Sequence, residues 1–165
     1  MFSTEGWFEK GTIFKSLGII IAPEIFTMHQ RAHLSNGRIV LADTQYFTWP
    51  TAKALTSEGY MPDGWRMPTF EEASIIQAHY NRQGMGLLTL GLNGYICPND
   101  MIAYNYIPTN GDNFIVYKGK VGYYWIDSLD KPLYAHVITN TGINVQVGGS
   151  IIFNYGIPLL LVKSL

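Results

Sequence analysis

The sequence contains little charge and almost no cysteine. Only 14% of its 165 residues are charged, the formal net charge is −1, and lysine and arginine form no run. A nucleic-acid-binding surface needs a basic patch to neutralise phosphates, so we expect no nucleic-acid partner. The single cysteine, Cys97, has no partner for an internal disulfide, so the fold must be stable without one.

Long hydrophobic runs are also absent from the sequence. The best candidate, residues 17–22, is far shorter than the roughly 20 apolar residues that cross a bilayer. No basic segment leads into an apolar core and a small-residue cleavage site, so no secretory signal peptide is visible. We therefore expect a chain without a membrane span.

Apolar residues, glycine and tyrosine are abundant instead. The hydrophobic fraction is 47%, and the chain has 17 glycines and 11 tyrosines. This composition is typical of a globular domain with a sizeable core and many strands and turns. No repeat, linker or low-complexity stretch divides the chain, which predicts a single domain over residues 1–165.

Two helices are predicted in the first half of the chain. The first covers residues 50–57, where a proline suits the first turn and Gly59 can adopt the left-handed conformation that ends a helix. The second begins after Thr69, because Thr69 and Glu72 have the spacing of a capping box, and it fades near Asn81.

Short strands are predicted before and after these helices. The Asn36-Gly37 pair favours a hairpin turn, and runs of β-branched and aromatic residues alternate with turn residues along the second half. The strand candidates are residues 11–14, 18–22, 39–41, 87–92, 113–117, 121–126, 133–138, 143–147 and 157–162. Two early helices and a loop-rich late sheet predict an α+β fold.

One segment resembles a known family. Gly64-Trp65-Arg66-Met67-Pro68-Thr69, followed by Glu71-Glu72, is similar to the "GWRLPT" signature of bacterial C-type lectin-like domains. This group includes the Fibrobacter major paralogous domain, the Legionella collagen-like C-terminal domain and the variable proteins of diversity-generating retroelements. Leu160 stands where the family usually has arginine. The other segments that resemble family motifs, in the expected order, are Tyr46-Phe47-Thr48-Trp49, Gly91-Leu92-Asn93-Gly94-Tyr95, Gly122-Tyr123-Tyr124-Trp125-Ile126-Asp127-Ser128 and Tyr155-Gly156-Ile157-Pro158-Leu159-Leu160-Leu161-Val162.

The resemblance covers residues 45–162, whereas residues 1–44, interpreted as N-terminal strands, have no counterpart. It implies a C-type lectin-like fold with two helices and a loop-rich, mostly antiparallel sheet. Trp65 and Trp125 are expected to be large buried anchors, and Arg66 to be part-buried and hydrogen-bonded to backbone carbonyls or a carboxylate. The segment from Gly64 to Thr69 is expected to orient the second helix. The residues of this structural signature are Gly64, Trp65, Arg66, Pro68, Thr69, Glu72, Trp125 and Gly156.

The residues that catalysis would need are mostly missing. Formylglycine-generating enzymes have a similar fold but require a pair of cysteines, and only Cys97 is present. No phosphate-binding loop and no nucleophile–base set is recognisable in the sequence. We therefore expect that the protein is not an enzyme.

No cofactor is predicted either. Cys97-Pro98-Asn99-Asp100 offers at most two oxygen ligands for calcium, too few for a site, and turn formation explains this segment without a metal. His29 and His33 have the i, i+4 spacing of zinc ligands on a helix, but no third ligand accompanies them. Surface or core histidines are the favoured interpretation.

Ligand recognition is expected in two stretches rich in tyrosine and asparagine, residues 95–112 and 140–154. Tyrosine provides rigid amphipathic area and asparagine provides adaptable hydrogen bonds, as in antibody paratopes. Ordinary turn residues and strand aromatics would explain the same composition. The candidate ligand-binding residues are Tyr104, Asn105, Tyr106, Asn110, Asn140, Asn144, Gln146 and Asn154.

The predicted function is a non-catalytic ligand- or receptor-binding domain, displayed on a phage tail or a bacterial surface, with a protein or a glycan as its partner. Its resemblance to retroelement variable proteins also allows a diversified segment, which Asn140, Asn144 and Asn154 would fit. The alternative is a structural module that assembles a virion or a pilus as a homo-oligomer. All of these interpretations favour an extracellular, cell-surface or virion location.

Overall fold

A computed structural model of the chain confirms the α+β prediction. It describes residues 6–35, 37, 39–40, 43–82, 94–96, 115–116, 121–127, 133–138, 142–147 and 155–165. In this part of the chain the α-helices are α1 (Trp7–Lys10), α2 (Trp49–Ser57) and α3 (Phe70–Arg82). The strands are β1 (Thr12–Phe14), β2 (Ile19–Ile21), β3 (Ala32–His33), β4 (Ile39–Val40), β5 (Trp65–Arg66), β6 (Tyr95–Ile96), β7 (Ile115–Val116), β8 (Val121–Ile126), β9 (Leu133–Ile138), β10 (Gly142–Val147) and β11 (Val162–Ser164).

The two predicted helices form where their end signals lie. Helix α2 is capped by Thr48, whose hydroxyl oxygen accepts a hydrogen bond from the Thr51 N–H at 3.4 Å, a cap that the sequence analysis missed. Gly59, just beyond its end, has the left-handed φ of 79° that was predicted. Helix α3 follows the predicted capping box, which Thr69 and Glu72 form. The four-residue helix α1 had not been predicted.

A four-stranded antiparallel sheet joins the two ends of the described chain. Its strand order is β1-β2-β11-β5, so β11 lies between an N-terminal strand and the signature strand. Val162 of β11 is in register with Ile21 on one side and with Arg66 on the other. The N-terminal strands predicted within residues 1–44 therefore pair directly with the family-like region.

Strand β8 separates two buried apolar clusters. It forms the edge of a three-stranded antiparallel sheet of order β10-β9-β8. Trp125 belongs to the first cluster together with Trp49 of α2, whereas its neighbours Tyr124 and Ile126 belong to the second cluster together with Ile76 of α3. Alternate residues of a strand point to opposite faces, so this one strand anchors both clusters. The predicted bounds of β8 and β9 are confirmed.

The predicted strand at residues 157–162 is wrong for most of its length. Only Val162 lies in a strand, and Ile157 makes an isolated bridge with Phe47. The carbonyl oxygens in between accept hydrogen bonds from two separate parts of the chain. The Ala22 and Phe26 N–H groups donate to Leu161 and Leu159, and the Trp125 N–H donates to Pro158. The segment is thus buried and extended, but among the described residues no single strand pairs with it along its length.

The apolar character that suggested a strand there has another cause. Leu160 is 1% exposed and packs in the second cluster. Leu159 and Leu161 lie in the first cluster. The segment therefore passes between the two clusters and is apolar because both of its faces are buried.

The hairpin predicted around Asn36-Gly37 is confirmed. Strands β3 and β4 pair with His33 opposite Ile39, and Gly37 has a φ of 86°. The predicted strand at residues 113–117 is represented by β7, and β6, which had not been predicted, pairs with it. The predicted strand at residues 87–92 lies outside the described residues.

Candidate functional site

The signature segment forms a network of hydrogen bonds around the start of α3. The Arg66 guanidinium donates to both carboxylate oxygens of Glu72, at 2.7 and 2.8 Å, and to the carbonyl oxygen of Met67 at 3.3 Å. The Thr69 N–H donates to Glu72 at 2.9 Å, and the Glu72 N–H donates to the Thr69 hydroxyl oxygen at 3.2 Å. Both predictions, the capping box and the hydrogen-bonded Arg66, are confirmed.

The same contacts shift the pKa values of both side chains toward their charged forms. The hydrogen bond from Arg66 holds the pKa of the Glu72 carboxyl below its usual value, although burial opposes this effect. The same hydrogen bond raises the pKa of Arg66. Because the ion pair is satisfied within the scaffold, its role is to fix the strand-to-helix junction.

The other signature residues also lie in the scaffold. Gly64 has a φ of +77°, a left-handed backbone conformation that favours glycine. Trp65 and Trp125 are buried as predicted, at 4% and 0% exposure. The Trp125 indole N–H donates to the carbonyl oxygen of Phe47 at 2.7 Å.

The last two signature residues, Pro68 and Gly156, are buried. The carbonyl oxygen of Pro68 accepts a hydrogen bond from the Asp127 N–H at 2.8 Å, which ties the entry of α3 to the end of β8. Gly156 lies immediately before the bridge that Ile157 makes with Phe47. Seven of the eight signature residues are thus buried or hydrogen-bonded, and Gly64 is explained by its backbone conformation.

Tyr95, Tyr123 and Tyr155 form a partly exposed tyrosine cluster among the described residues of the second half. The rings of Tyr95 and Tyr155 stack with centroids 4.8 Å apart and an interplanar angle of 5°. The rings of Tyr95 and Tyr123 meet edge to face at 5.2 Å and 85°. All three are half-buried and pack against the first apolar cluster.

The tyrosine cluster contains the first residue of one predicted recognition stretch and the residue that directly follows the other. Tyr95 begins the stretch of residues 95–112, and Tyr155 directly follows the stretch of residues 140–154. Sequence reasoning did not single out Tyr123 and Tyr155, although the resemblance had included both in motif segments. The contact could not have been foreseen, because it joins residues 60 positions apart in the chain.

Two of the eight predicted ligand-binding residues lie in the described part of the chain. Asn144 and Gln146 occupy alternate positions of β10. Asn144 is in register with His136 of β9, which is in register with Tyr123 of β8. Two strand spacings, about 10 Å, therefore separate the backbone of Asn144 from that of Tyr123. The predicted residues outside the described ones are Tyr104, Asn105, Tyr106, Asn110, Asn140 and Asn154.

His29 and His33, whose spacing was weighed for zinc, do not share a helix. His29 lies in no helix and its Nδ1 atom is 3.4 Å from an oxygen of Asp43, whereas His33 lies in β3. Among the described residues, no group of three or more histidine, cysteine, aspartate or glutamate side chains is placed to hold a metal ion. The calcium candidates Asn99 and Asp100 lie outside these residues.

Within the part of the chain that the structure describes, no helix combines the length and the apolar character needed to cross a bilayer. This agrees with the predicted lack of a membrane span. No protein-family model matches the chain, and neither a curated protein nor a solved structure does so.

Proposed function

We propose that this chain is a non-catalytic ligand- or receptor-binding domain of C-type lectin-like fold, displayed on a phage tail or a bacterial surface. The observation that carries the proposal is the tyrosine cluster. Its stacked pair joins the first residue of one Tyr- and Asn-rich stretch to the residue directly after the other, so a ligand bound on the pair would lie beside an end of each stretch. Recognition residues concentrate on loops that a rigid scaffold positions.

The chemistry of the tyrosine cluster suits recognition of a protein or a glycan. A tyrosine ring offers a flat apolar face and a hydroxyl, and it loses little rotamer entropy on binding. The mutual ring contacts and the packing against the first apolar cluster already restrict these side chains. A preorganised surface binds more tightly because less entropy is lost on association.

The scaffold supports the family assignment within this proposal. Two helices, antiparallel sheets and the hydrogen-bonded signature between β5 and α3 agree with the arrangement that the resemblance implies. In this proposal the signature residues belong to the scaffold, and the tyrosine cluster with the two Tyr- and Asn-rich stretches forms the binding face.

Glycan and protein arrays probed with the purified chain test this proposal. We expect the wild-type chain to bind a restricted set of spots, and the double variant Asn144→Ala/Gln146→Ala to lose them. The control is Gln45→Ala, because Gln45 is exposed, lies outside both stretches and donates its amide N–H to the Thr27 hydroxyl oxygen at 3.1 Å. Silence of the wild-type chain on broad panels, or equal binding by the double variant, would contradict the proposal.

Measuring the molecular mass in solution distinguishes the assembly alternative from the receptor-binding function. A stable oligomer that protects Tyr123 from chemical modification would favour a virion or pilus module. A monomer that binds an array ligand would favour the receptor-binding domain. Diversification is a separate question, answered by the gene: a near-identical template repeat that differs only at adenines, beside a reverse transcriptase, is the expected arrangement.

A further inference from the structure

A cleft of about 780 Å³ opens beside Trp65. Its described lining comes from three segments of the first half of the chain: residues 28–30, Thr56 at the end of α2, and residues 59–65. None of these lining residues belongs to the tyrosine cluster or to the predicted recognition stretches. The volume falls in the range of roughly 300–1,000 Å³ that is usual for small-molecule sites.

One rim of the cleft is a tight turn over residues 62–65. The Trp65 N–H donates to the carbonyl oxygen of Pro62 at 2.9 Å, and Gly64, at the third position, has a left-handed φ of +77°. A glycine with a positive φ at this position is typical of a type II turn. The turn therefore holds the backbone of the exposed Asp63 at the rim.

Lys163 brings a positive charge to the same rim. It is in register with Trp65 on the neighbouring strand, so the two side chains lie on one face of the sheet. The Cε and Nζ atoms of Lys163 lie 2.7 and 3.3 Å from the point where a Cβ atom on Gly64 would sit. The ammonium group is thus placed against the residue that directly follows Asp63.

The charges around the cleft are therefore of both signs. Lys163 and Asp63 meet at Gly64, and the Nδ1 atom of the lining residue His29 is 3.4 Å from an oxygen of Asp43. A ligand of one sign would meet a like charge at Gly64, whereas a ligand that carries both signs meets an opposite charge twice. Ion pairs between partly exposed groups contribute little to stability, so a ligand can replace them.

Apolar groups lie beside these charges. Tyr60 and Met61 are half-buried, and the Tyr60 N–H donates to the carbonyl oxygen of Leu55 at 3.0 Å. The Trp65 ring is 4% exposed and packs edge to face against Trp7, with centroids 4.8 Å apart. This wall favours an apolar group on the ligand. Because the wall is fixed before binding, little conformational entropy is lost when a ligand enters.

We propose that this cleft binds a free α-amino acid with a large apolar side chain. The carboxylate of the ligand pairs with Lys163, and its ammonium group pairs with Asp63. Its side chain packs on Tyr60 and Met61. Both charges of an α-amino acid are attached to one carbon atom, which suits protein charges that arise at consecutive positions of one rim. The site shares no residue with the tyrosine cluster and does not depend on the function proposed for it.

The test titrates the full chain with amino acids and follows backbone amide signals by NMR. Gly59 and Gly64 line the cleft, whereas Gly18, which directly precedes β2, is a reference outside it. The probes are leucine, methionine and phenylalanine, each also as its N-acetyl derivative, which lacks the ammonium charge, and as its amide, which lacks the carboxylate. We expect at least one free amino acid to shift the Gly59 and Gly64 signals saturably, and its two derivatives to bind at least about tenfold more weakly.

Two variants connect each charge of the ligand to one side chain. Lys163→Met keeps the aliphatic chain that lies on Gly64; it should weaken binding of the free amino acid at least about tenfold and remove its advantage over the amide. Asp63→Asn should weaken binding equally and remove the advantage over the N-acetyl derivative. The matched controls, Lys15→Met and Glu71→Gln, alter an exposed cation and an exposed acid outside the cleft and should bind like the wild-type chain.

Three results would overturn the proposal. These are unchanged Gly59 and Gly64 signals with all three free amino acids, derivatives that bind as tightly as their parents, and wild-type affinity in Lys163→Met and Asp63→Asn. Unchanged amide signals away from the cleft verify that each variant is folded. The Asn144→Ala/Gln146→Ala variant should bind the amino acid like the wild-type chain, which keeps this outcome separate from that of the array experiment.

Discussion

Replacing Glu72 by alanine removes the charge partner of Arg66 and one half of the α3 cap in a single step. The carboxylate accepts two hydrogen bonds from Arg66, at 2.7 and 2.8 Å, and one from the Thr69 N–H at 2.9 Å. The Arg66 side chain is 33% exposed and that of Glu72 is 12% exposed. The pair is thus intermediate between an exposed ion pair and a buried one.

The magnitude follows from these contacts. Loss of a helix cap costs about 1 kcal/mol. Breaking a fully buried ion pair lowers the free energy of unfolding by about 3–5 kcal/mol, and breaking an exposed one lowers it by at most about 1 kcal/mol. For this partly exposed pair we expect a loss of about 2 kcal/mol. We therefore expect Glu72→Ala to lower the free energy of unfolding by about 3 kcal/mol. Glu72→Gln, which keeps an acceptor for Thr69, should lose about half as much.

Urea unfolding followed by tryptophan fluorescence measures this change. The four tryptophans, Trp7, Trp49, Trp65 and Trp125, are each at most 4% exposed, so their emission reports loss of the packed state. The matched control is Glu71→Ala, the exposed acid one position earlier, for which a change within about 0.5 kcal/mol is expected. Equal stability of Glu72→Ala and Glu71→Ala would refute the argument that this network holds α3 in place.

Three further predictions concern stability. Because the pKa of Glu72 is lowered in the folded state, its contribution to stability is complete above the unfolded carboxyl pKa of about 4.3 and is lost as pH falls through the folded pKa. In urea titrations below pH 4, the stability advantage of the wild-type chain over Glu72→Gln should therefore shrink. A stability difference that stays constant with pH would contradict this. Tyr124→Phe should raise the free energy of unfolding by about 1 kcal/mol, because the buried hydroxyl has no hydrogen-bond partner in the described structure; a loss of stability would reveal one. Trp125→Phe should lower the free energy of unfolding by about 2–4 kcal/mol in the same assay, because it leaves a cavity and removes the donor to the Phe47 carbonyl oxygen. A loss below about 1 kcal/mol would show that this contact is dispensable.

Elements with local signals were predictable. Thr69 and Glu72 are three residues apart, and their reciprocal hydrogen bonds define the start of α3 without help from the rest of the chain. The φ of Gly59 beyond α2 and the hairpin at Gly37 are local in the same sense. The bounds of β8 were recognised because six β-branched, aromatic and glycine residues lie between turn signals.

Elements that depend on distant contacts were not predictable. The apolar run at residues 157–162 favoured a strand, but its carbonyl oxygens accept from Phe26, Ala22 and Trp125, which are far away in the sequence. The His29 and His33 spacing suggested one helical face, but tertiary pairing places His33 in β3. Residue patterns specify which side chains must be buried, but not which segment covers them.

The sequence by itself determined the α+β class, the capped second helix and the buried indole anchors. These features depend on hydrogen bonds within four residues, or on the strong burial preference of one large apolar side chain. Only the tertiary structure decided that β11 lies between β2 and β5, and that Tyr95 stacks on Tyr155. Those contacts join residues separated by dozens of positions, and their energy is realised only when the whole chain packs together.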